Sequence, residues 1–133
     1  MQVNALDHFN LITDDLEATA TFYQTLLSLE RRNGPPPLTP DNAQWMCDHS
    51  GRPVVHINTP AAPKAIERDT RPGPQTGAVH HIALNCTGHD EMIGRIEARG
   101  LEHHRNEITV IGLRQIFVQD PNGVLLELNF FAE

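Results

Sequence analysis

The sequence predicts an α+β fold that contains two copies of a strand–helix–strand–strand–strand module. Two short alternating segments, His8-Phe9-Asn10-Leu11 and His81-Ile82-Ala83-Leu84, each precede an amphipathic helical pattern. The segment "CDHSGRPVVHIN" at 47–58 resembles "QDPNGVLLELN" at 119–129, since each has an aspartate, then a glycine, then a β-rich run that ends in asparagine. A Pro-rich, charged segment without periodicity separates the halves. We therefore expect a single domain over 1–133, with module one at about 1–58, a linker loop at 59–77 and module two at about 78–133.

The composition bounds the class of protein. A chain of 133 residues with 39% hydrophobic residues suits one folded domain. The net charge of −7 argues against a nucleic-acid-binding surface. The start has no basic, apolar leader, and no apolar run is long enough to span a membrane. The two cysteines are far apart and form no CxxC motif. We expect a cytoplasmic protein that binds neither nucleic acid nor membrane.

Each module has signals for one helix. In the first, Asp14 and Glu17 have the spacing of a capping box. The apolar face of that helix is predicted to carry Leu16, Ala20, Tyr23 and Leu27. In the second module, Thr87 is the predicted cap of a helix that runs to about Arg99 and stops at Gly100. Its apolar residues are Met92, Ile93 and Ile96, and "NGPPPLTPDN" at 33–42 is a second loop.

Strand alternation selects four candidate site residues. Side chains in a strand alternate between the two faces of the sheet. In each of the four relevant strands the apolar side chains share the face that would pack on helices, and one polar side chain points away. These polar residues are His8, His56, His81 and Glu127. His81 rather than His80 matches His8, so His80 should face the other side, although it could donate a hydrogen bond to a ligand residue.

The donor types favour a metal site. Two imidazoles and one carboxylate are the ligand set of a facial triad, which suits iron(II) and also accepts Mn, Ni, Co or Zn. We expect His8, His81 and Glu127 to bind a divalent metal, with Fe(II) preferred. His56 is then either a fourth ligand or an acid–base group. The other histidines, at 49, 89, 103 and 104, are expected to be solvated, and Cys47 and Cys86 to be buried apolar residues.

Together these segments resemble the vicinal oxygen chelate superfamily, which includes glyoxalase I, bleomycin- and fosfomycin-resistance proteins, methylmalonyl-CoA epimerase and type I extradiol dioxygenases. The resemblance lies in "DHFNLITDDLEATATFYQTLL", "VHHIALN" and, most specifically, "RQIFVQDPNGVLLELNF". It implies paired βαβββ modules that form an open, U-shaped mixed sheet around a metal, and usually a dimer. By position it implies that His8, His81 and Glu127 are the metal ligands.

Position 56 separates the subfamilies that the resemblance covers. Glyoxalase I usually has a glutamate there and the epimerase a glutamine, whereas extradiol dioxygenases place an acid–base histidine in the equivalent strand, as His56 would be. The extradiol signature begins with a tyrosine where this chain has Phe117. The histidine expected slightly upstream is absent from Ile108–Gly112, and an extradiol enzyme usually has two such paired units.

Three functions remain open from the sequence. The first is a metal-dependent enzyme whose small substrate chelates the metal through two neighbouring oxygens, with extradiol-type dioxygenation slightly preferred. The second is a glyoxalase- or epimerase-like lyase or isomerase. The third is a metal-free, ligand-sequestering resistance protein, against which the His/His/Glu set counts. Fosfomycin transfer requires a cationic pocket, for which only Arg114 is a candidate. We also expect a homodimer, because a short open sheet leaves uncovered edges.

Overall fold

The computed structural model describes residues 1–63, 77 and 79–132. The chain divides into two compact units, Met1–Arg71 and Pro72–Glu133. Each unit contains a four-stranded mixed sheet and one α-helix in the order strand, helix, strand, strand, strand. The α+β class with two βαβββ modules is therefore confirmed. Most of the expected linker at 59–77 lies outside the described residues.

The first unit contains a mixed sheet in which the first strand pairs with the last. Its sheet order is β1-β4-β3-β2, with β1 and β4 parallel and the remaining neighbours antiparallel. The elements are β1 (Phe9–Ile12), α1 (Leu16–Leu26), β2 (Glu30–Arg32), β3 (Ala43–Cys47) and β4 (Pro53–Asn58).

The second unit repeats this topology. Its sheet order is β5-β8-β7-β6, again with one parallel pair, β5 and β8. The elements are β5 (Ile82–Asn85), α2 (His89–Ala98), β6 (His103–Ile108), β7 (Leu113–Gln119) and β8 (Leu125–Phe131), with a 3₁₀ turn at Thr109–Ile111. No helix in the described part of the chain has the length and apolar character needed to cross a membrane.

The strand registers of the two units are equivalent. Asn10 on β1 pairs with His56 on β4, and Ala83 on β5 pairs with Glu127 on β8. The predicted superposition of 54–58 on 125–129 is therefore confirmed at the level of individual residue pairs. It follows that His56 and Glu127 occupy the same place in the two sheets.

The core of each unit lies between its helix and one face of its sheet. The side chains of Val55, Ile57, Leu126 and Leu128 are fully buried on that face. Because strand side chains alternate, their polar neighbours on β4 and β8 lie on the opposite face. Burial of each such aliphatic side chain stabilises the fold by about 1.5–3 kcal/mol, and this burial sets the register. The fully buried helix residues include Tyr23 and Leu26 in α1 and Ile96 in α2.

Two details of α1, its cap and the last leucine of its apolar face, differ from prediction by one residue each. Asp15 is the N-cap, and its side chain accepts a hydrogen bond from the Ala18 amide at 2.9 Å. The predicted Asp14–Glu17 capping box is wrong, because Asp15 directly precedes the helix and Glu17 binds Arg31 on β2 instead. Similarly, the buried leucine is Leu26, since the predicted Leu27 is the C-cap.

No side chain among the described residues caps the start of α2. Its N-cap is Gly88, with φ of +80°, so the predicted cap Thr87 is wrong. A left-handed backbone at this position favours glycine over threonine. The predicted stop is confirmed, because Arg99 is the C-cap and Gly100 follows with φ of +61°.

The same turn precedes the site strand in both units. Asp48 and Asp120 each use Oδ1 to accept two backbone amide hydrogen bonds inside the turn, and Gly51 and Gly123 have φ of +82° and +80°. These turns fix the registers that place His56 and Glu127. The donors are Ser50 and Arg52 at 2.9 and 3.1 Å for Asp48, and Asn122 and Val124 at 2.7 and 2.9 Å for Asp120.

Candidate functional site

Three aromatic rings stack on the polar face of the first sheet. The His8 and His56 rings lie parallel, with centroids 3.9 Å apart and planes inclined by 15°. On its other side the His56 ring stacks on Trp45, with centroids 4.3 Å apart and planes inclined by 7°. Trp45 and His56 are direct partners in the β3–β4 register, so strand pairing places this stack. The predicted residues His8 and His56 are therefore brought together within the first unit.

His56 has an unsatisfied nitrogen. Its Nε2 is buried and has no hydrogen-bond partner among the described residues. Burial, and next the charge of the neighbouring His8, lower the pKa of His56, while Asp7 and the Pro53 backbone oppose this shift. Burial disfavours the charged imidazolium, so the neutral ring is favoured at pH 7. A buried polar atom without a partner is rare in proteins and is a place where a ligand can bind.

The second unit brings His81 and Glu127 together on the polar face of its sheet. His81 Nε2 lies 2.9 Å from Glu127 Oε2. The Glu127 side chain is 12% exposed and that of His81 is 38% exposed, so the pair lies at a partly open surface. Each unit thus supplies two of the four predicted residues: His8 with His56, and His81 with Glu127.

Gln115 was not identified from the sequence, yet it contacts the predicted carboxylate. Its Nε2 donates hydrogen bonds to Glu127 Oε1 at 2.6 Å and to Asn129 Oδ1 at 3.0 Å. Its Oε1 accepts one from Asn106 Nδ2 at 2.7 Å. Alternation along β7 places Gln115 on the same face as Glu127, and this parity is the sequence signal that could have revealed it.

His80 does not lie where it was predicted. Its Nδ1 is 3.0 Å from His81 Nδ1, and the two rings meet edge to face. The expectation that His80 faces away is therefore wrong, because His80 precedes β5 and strand alternation does not constrain it. Its other predicted role, as a hydrogen-bond partner of a ligand residue, agrees with this contact.

Two other surface predictions are also corrected. His89 is not solvated, since its side chain is 13% exposed, binds Asp90 at 2.8 Å and meets the Phe130 ring edge to face. The guanidinium of Arg114 lies 3.3 Å from the same Asp90 carboxylate on α2, so it does not face the candidate site. In both cases a contact between α2 and the second sheet, which no pattern within one element reports, determines the orientation.

Phe117 forms an apolar wall beside His81. The two rings meet edge to face with centroids 6.2 Å apart. Phe117 also lines an open cavity of about 430 Å³ at the end of the second sheet. The cavity residues are Leu101, Glu102, His103, His104, Phe117, Val118, Gln119 and Leu125.

The donor spacing in the second unit fits a shared metal ion. Two ligands at about 2.1 Å from an ion and at right angles to each other are separated by about 3 Å. The 2.9 Å between His81 Nε2 and Glu127 Oε2 agrees with that separation. Among the residues that the structure describes, no group of three or more His, Cys, Asp or Glu side chains is arranged to hold a metal ion.

The family follows from a comparison with known protein families. Residues 5–128 match the model of the Glyoxalase/Bleomycin resistance protein/Dioxygenase superfamily. The chain belongs to this superfamily. The predicted resemblance is confirmed over nearly the whole sequence. No curated protein matches the sequence significantly.

Solved structures of this superfamily have the same fold. A glyoxalase/dioxygenase from Nostoc punctiforme superimposes with a TM-score of 0.70 at 20% identity, covering 97% of this chain and 92% of that one. Lactoylglutathione lyase from Agrobacterium tumefaciens gives 0.66 at 22% identity, covering 98% and 96%. The fosfomycin resistance protein FosX from Listeria monocytogenes gives 0.63 at 20% identity, also covering 98% and 96%. At these identities the likeness shows the fold.

Proposed function

We propose that this protein is a divalent-metal-dependent enzyme in which His8, His81 and Glu127 bind the metal and His56 transfers a proton. Its substrate is a small molecule that presents two neighbouring oxygens. The observation that carries the proposal is the His81–Glu127 pair, whose 2.9 Å donor separation suits two ligands of one ion. His8 joins this set because it precedes β1 as His81 precedes β5 in the repeat.

The stack in the first unit supports an acid–base role for His56. A metal lies close to the ring plane of a ligating imidazole, so two ligands of one ion need planes that meet near that ion. The His8 and His56 planes are inclined by only 15° at a centroid distance of 3.9 Å, so they meet far beyond a metal–ligand bond length. We therefore assign His8 as the ligand and His56 as the proton-transfer group.

The chain's own residues suit proton transfer. When bound, a divalent metal supplies Lewis acidity to two neighbouring substrate oxygens, and iron(II) also permits reaction with dioxygen. The buried Nε2 of His56, which has no partner among the described residues, is the atom that we assign to accept a proton from a substrate hydroxyl or carbon. Trp45 holds the His56 ring from the opposite side to His8, which fixes its orientation.

Extradiol-type dioxygenation remains the preferred reaction, because extradiol relatives also place a histidine where His56 lies. A lyase or isomerase reaction of the glyoxalase or epimerase kind is the second candidate. Phe117 favours this second candidate, since a phenyl ring rather than a phenol faces His81. Phe117 offers no hydroxyl to bind or protonate an oxygenated substrate.

Metal analysis and oxygen uptake test the proposal together. Protein purified under nitrogen should retain close to one divalent ion per chain, with iron(II) as the expected metal. Addition of catechols in an oxygen electrode should give metal-dependent uptake. Catalysis of a glutathione hemithioacetal without oxygen uptake would instead select the lyase or isomerase. Tight binding of a small molecule by protein that binds no divalent metal would identify a sequestering protein and overturn the proposal.

We also propose that the protein forms a homodimer. Exposed apolar side chains lie on and near the 3₁₀ turn of the second unit, where Val110 is 89%, Ile111 58% and Phe131 51% exposed. Exposed apolar groups of this kind favour association with a second copy. Light scattering should give about twice the 14.8 kDa monomer mass at micromolar concentration. A mass near that of the monomer would contradict the dimer.

A further inference from the structure

The amide orientation of Gln115 is determined by its partners. An ionised carboxylate can only accept hydrogen bonds, so the group of Gln115 that lies 2.6 Å from Glu127 Oε1 must be the amide nitrogen. The second hydrogen on that nitrogen points to Asn129 Oδ1 at 3.0 Å, and Oε1 accepts from Asn106. The reverse orientation would place the Gln115 oxygen against two acceptors. Gln115 therefore uses both of its hydrogens and its oxygen in one geometry.

This geometry restrains the Glu127 carboxylate at both oxygens. Gln115 occupies Oε1, and Oε2 is the oxygen that lies 2.9 Å from His81 Nε2. Rotation of the carboxylate would break the short bond to Gln115. Since a hydrogen bond to an ionised acceptor is about twice as strong as a neutral one, that bond is a substantial restraint. Gln115 thereby leaves a single oxygen of Glu127 directed at His81.

The restraint crosses the whole second sheet. Asn106 lies on β6, Gln115 on β7, Glu127 on β8, and His81 directly precedes β5. Hydrogen bonds thus run from β6 to β7 to β8, and the contact of Glu127 Oε2 with His81 Nε2 continues to the residue before β5. Gln115 is only 8% exposed, so water competes little for its bonds. A network of this kind holds a side chain more rigidly than a single contact does.

The first unit provides an internal comparison. In the strand registers, Gln115 pairs with Asn129 as Ala43 pairs with Asn58, so Ala43 occupies the position of Gln115 in the repeat. The first unit thus has an alanine, Ala43, near His56, and the second unit has Gln115 at the equivalent position near Glu127. His56 Nε2 has no hydrogen-bond partner among the described residues, whereas Glu127 Oε1 accepts from Gln115 and Glu127 Oε2 lies 2.9 Å from His81 Nε2. The glutamine is thus present in the unit whose site residue is a carboxylate.

We propose that Gln115 is a positioning residue that fixes Glu127 as a ligand through one oxygen, Oε2. This inference rests on the proposed metal site. Loss of a residue that orients a metal ligand typically weakens metal binding by about 10–100-fold. Gln115→Leu and Gln115→Met should both show a loss of that size, because each removes the amide donor while it retains much of the side-chain volume.

Gln44→Leu is the matched control. Gln44 is 3% exposed, lies on β3, and bonds Arg31, Asn33 and the Pro40 carbonyl, away from the predicted ligands. Its replacement removes a hydrogen-bonded glutamine that is about as buried as Gln115. It should therefore lower thermal stability to a similar extent and leave metal affinity unchanged. Two substitutions are made at position 115 so that the test still stands if one variant fails to fold.

The experiment measures Co²⁺ affinity by calorimetry on metal-stripped protein under nitrogen. In parallel, long-range ¹H–¹⁵N spectra of the metal-free protein report the His81 tautomer. Wild type should show one dominant His81 tautomer, since Glu127 and His80 hold its two ring nitrogens in fixed contacts, and the position-115 variants should show a mixture. Weaker Co²⁺ binding in both variants, with unchanged binding in Gln44→Leu, supports the inference.

The failures of the two proposals are distinguishable. If wild type binds Co²⁺ and the position-115 variants bind it equally well, Gln115 is not a positioning residue and the metal site stands. If wild type binds no Co²⁺, Fe²⁺, Mn²⁺, Ni²⁺ or Zn²⁺, the proposed function fails. The His81 tautomer then tests the role of Gln115 by itself. A changed tautomer in the position-115 variants supports the positioning of Glu127 by Gln115, and an unchanged tautomer contradicts it.

Discussion

His8 and His56 stack face to face, with ring centroids 3.9 Å apart, and no hydrogen bond is formed by the buried Nε2 of His56 within the described residues. In the corresponding pair of the second unit, His81 Nε2 lies 2.9 Å from Glu127 Oε2. The two units therefore carry different residue pairs at equivalent places in the repeat. In the first unit the buried Nε2 of His56 has no partner among the described residues, and in the second the His81 and Glu127 atoms lie 2.9 Å apart.

Replacement of His56 should separate metal binding from catalysis. We expect His56→Ala and His56→Gln to retain the metal and to lower turnover by about 10²–10⁴-fold, the usual contribution of a general acid or base. Metal content by elemental analysis and turnover on the same sample measure both effects. Parallel loss of metal and activity would show that His56 is a fourth ligand, and full activity in both variants would reduce it to a wall of the site.

Replacement of His81 should remove the metal. We expect His81→Ala to lower metal affinity by about 10-fold or more, since loss of a ligand costs at least as much as loss of a residue that orients one. His103→Ala is the control, because His103 lies in the same sheet, on β6, and its Nδ1 lies 3.1 Å from the Leu101 carbonyl. Equal metal content in the two variants after dialysis would exclude His81 as a ligand.

Replacement of Asp120 should destabilise the second unit. Asp120 is 5% exposed, and its Oδ1 accepts hydrogen bonds from the Asn122 and Val124 amides. Asp120→Ala leaves these amides without that partner, which should lower the free energy of unfolding by about 1–3 kcal/mol. Urea denaturation measures the change. The exposed Asp41 provides the control, and an equal effect of Asp41→Ala would contradict this role of the turn.

The charge of Asp48 should stabilise the protein only above acidic pH. The Ser50 hydroxyl, and with it the amide and guanidinium of Arg52, hold the pKa of Asp48 well below its usual 3.8, against the opposing effect of burial. A carboxyl group whose pKa is lower in the folded state stabilises that state above its unfolded pKa and loses the effect as pH falls.

Asp48→Asn should therefore be less stable than wild type at pH 7, and this difference should shrink as the pH falls below 3.8. Urea denaturation at several pH values measures the difference. Asn keeps the Oδ1 acceptor of the Ser50 and Arg52 amides but loses Oδ2, so the comparison tests the charge together with its pair with the Arg52 guanidinium. A difference in stability that does not depend on pH would contradict the expected role of the ionised carboxylate.

Cys86 should be unreactive at neutral pH. Burial raises the pKa of its thiol to about 11, and the reactive species is the thiolate. Native protein should react slowly with a disulfide reagent at pH 8, and unfolded protein rapidly. Cys47 is 2% exposed, so it should contribute little to the native rate. Rapid modification of Cys86 in the native protein at pH 8 would contradict this expectation.

Much of the fold was predictable because its signals are local. The alternation of Val55, His56 and Ile57 along one strand assigns each side chain to a face without knowledge of the partner strand. The Asp120–Gly123 turn is likewise contained in four residues. The errors in the helix caps were also local, since adjacent candidates compete for one position and backbone geometry selects between them, as at Asp15 and Gly88.

By itself the sequence determined the fold class, the internal repeat and the strand face of His56 and Glu127. These follow from periodicity and turn chemistry, which act over a few residues. The tertiary structure alone decided the bond from Gln115 to Glu127, the contact of His80 with His81, and the stack of Trp45 on His56. These contacts depend on which strands pair and on how side chains orient once they do, and no pattern within one strand encodes that choice.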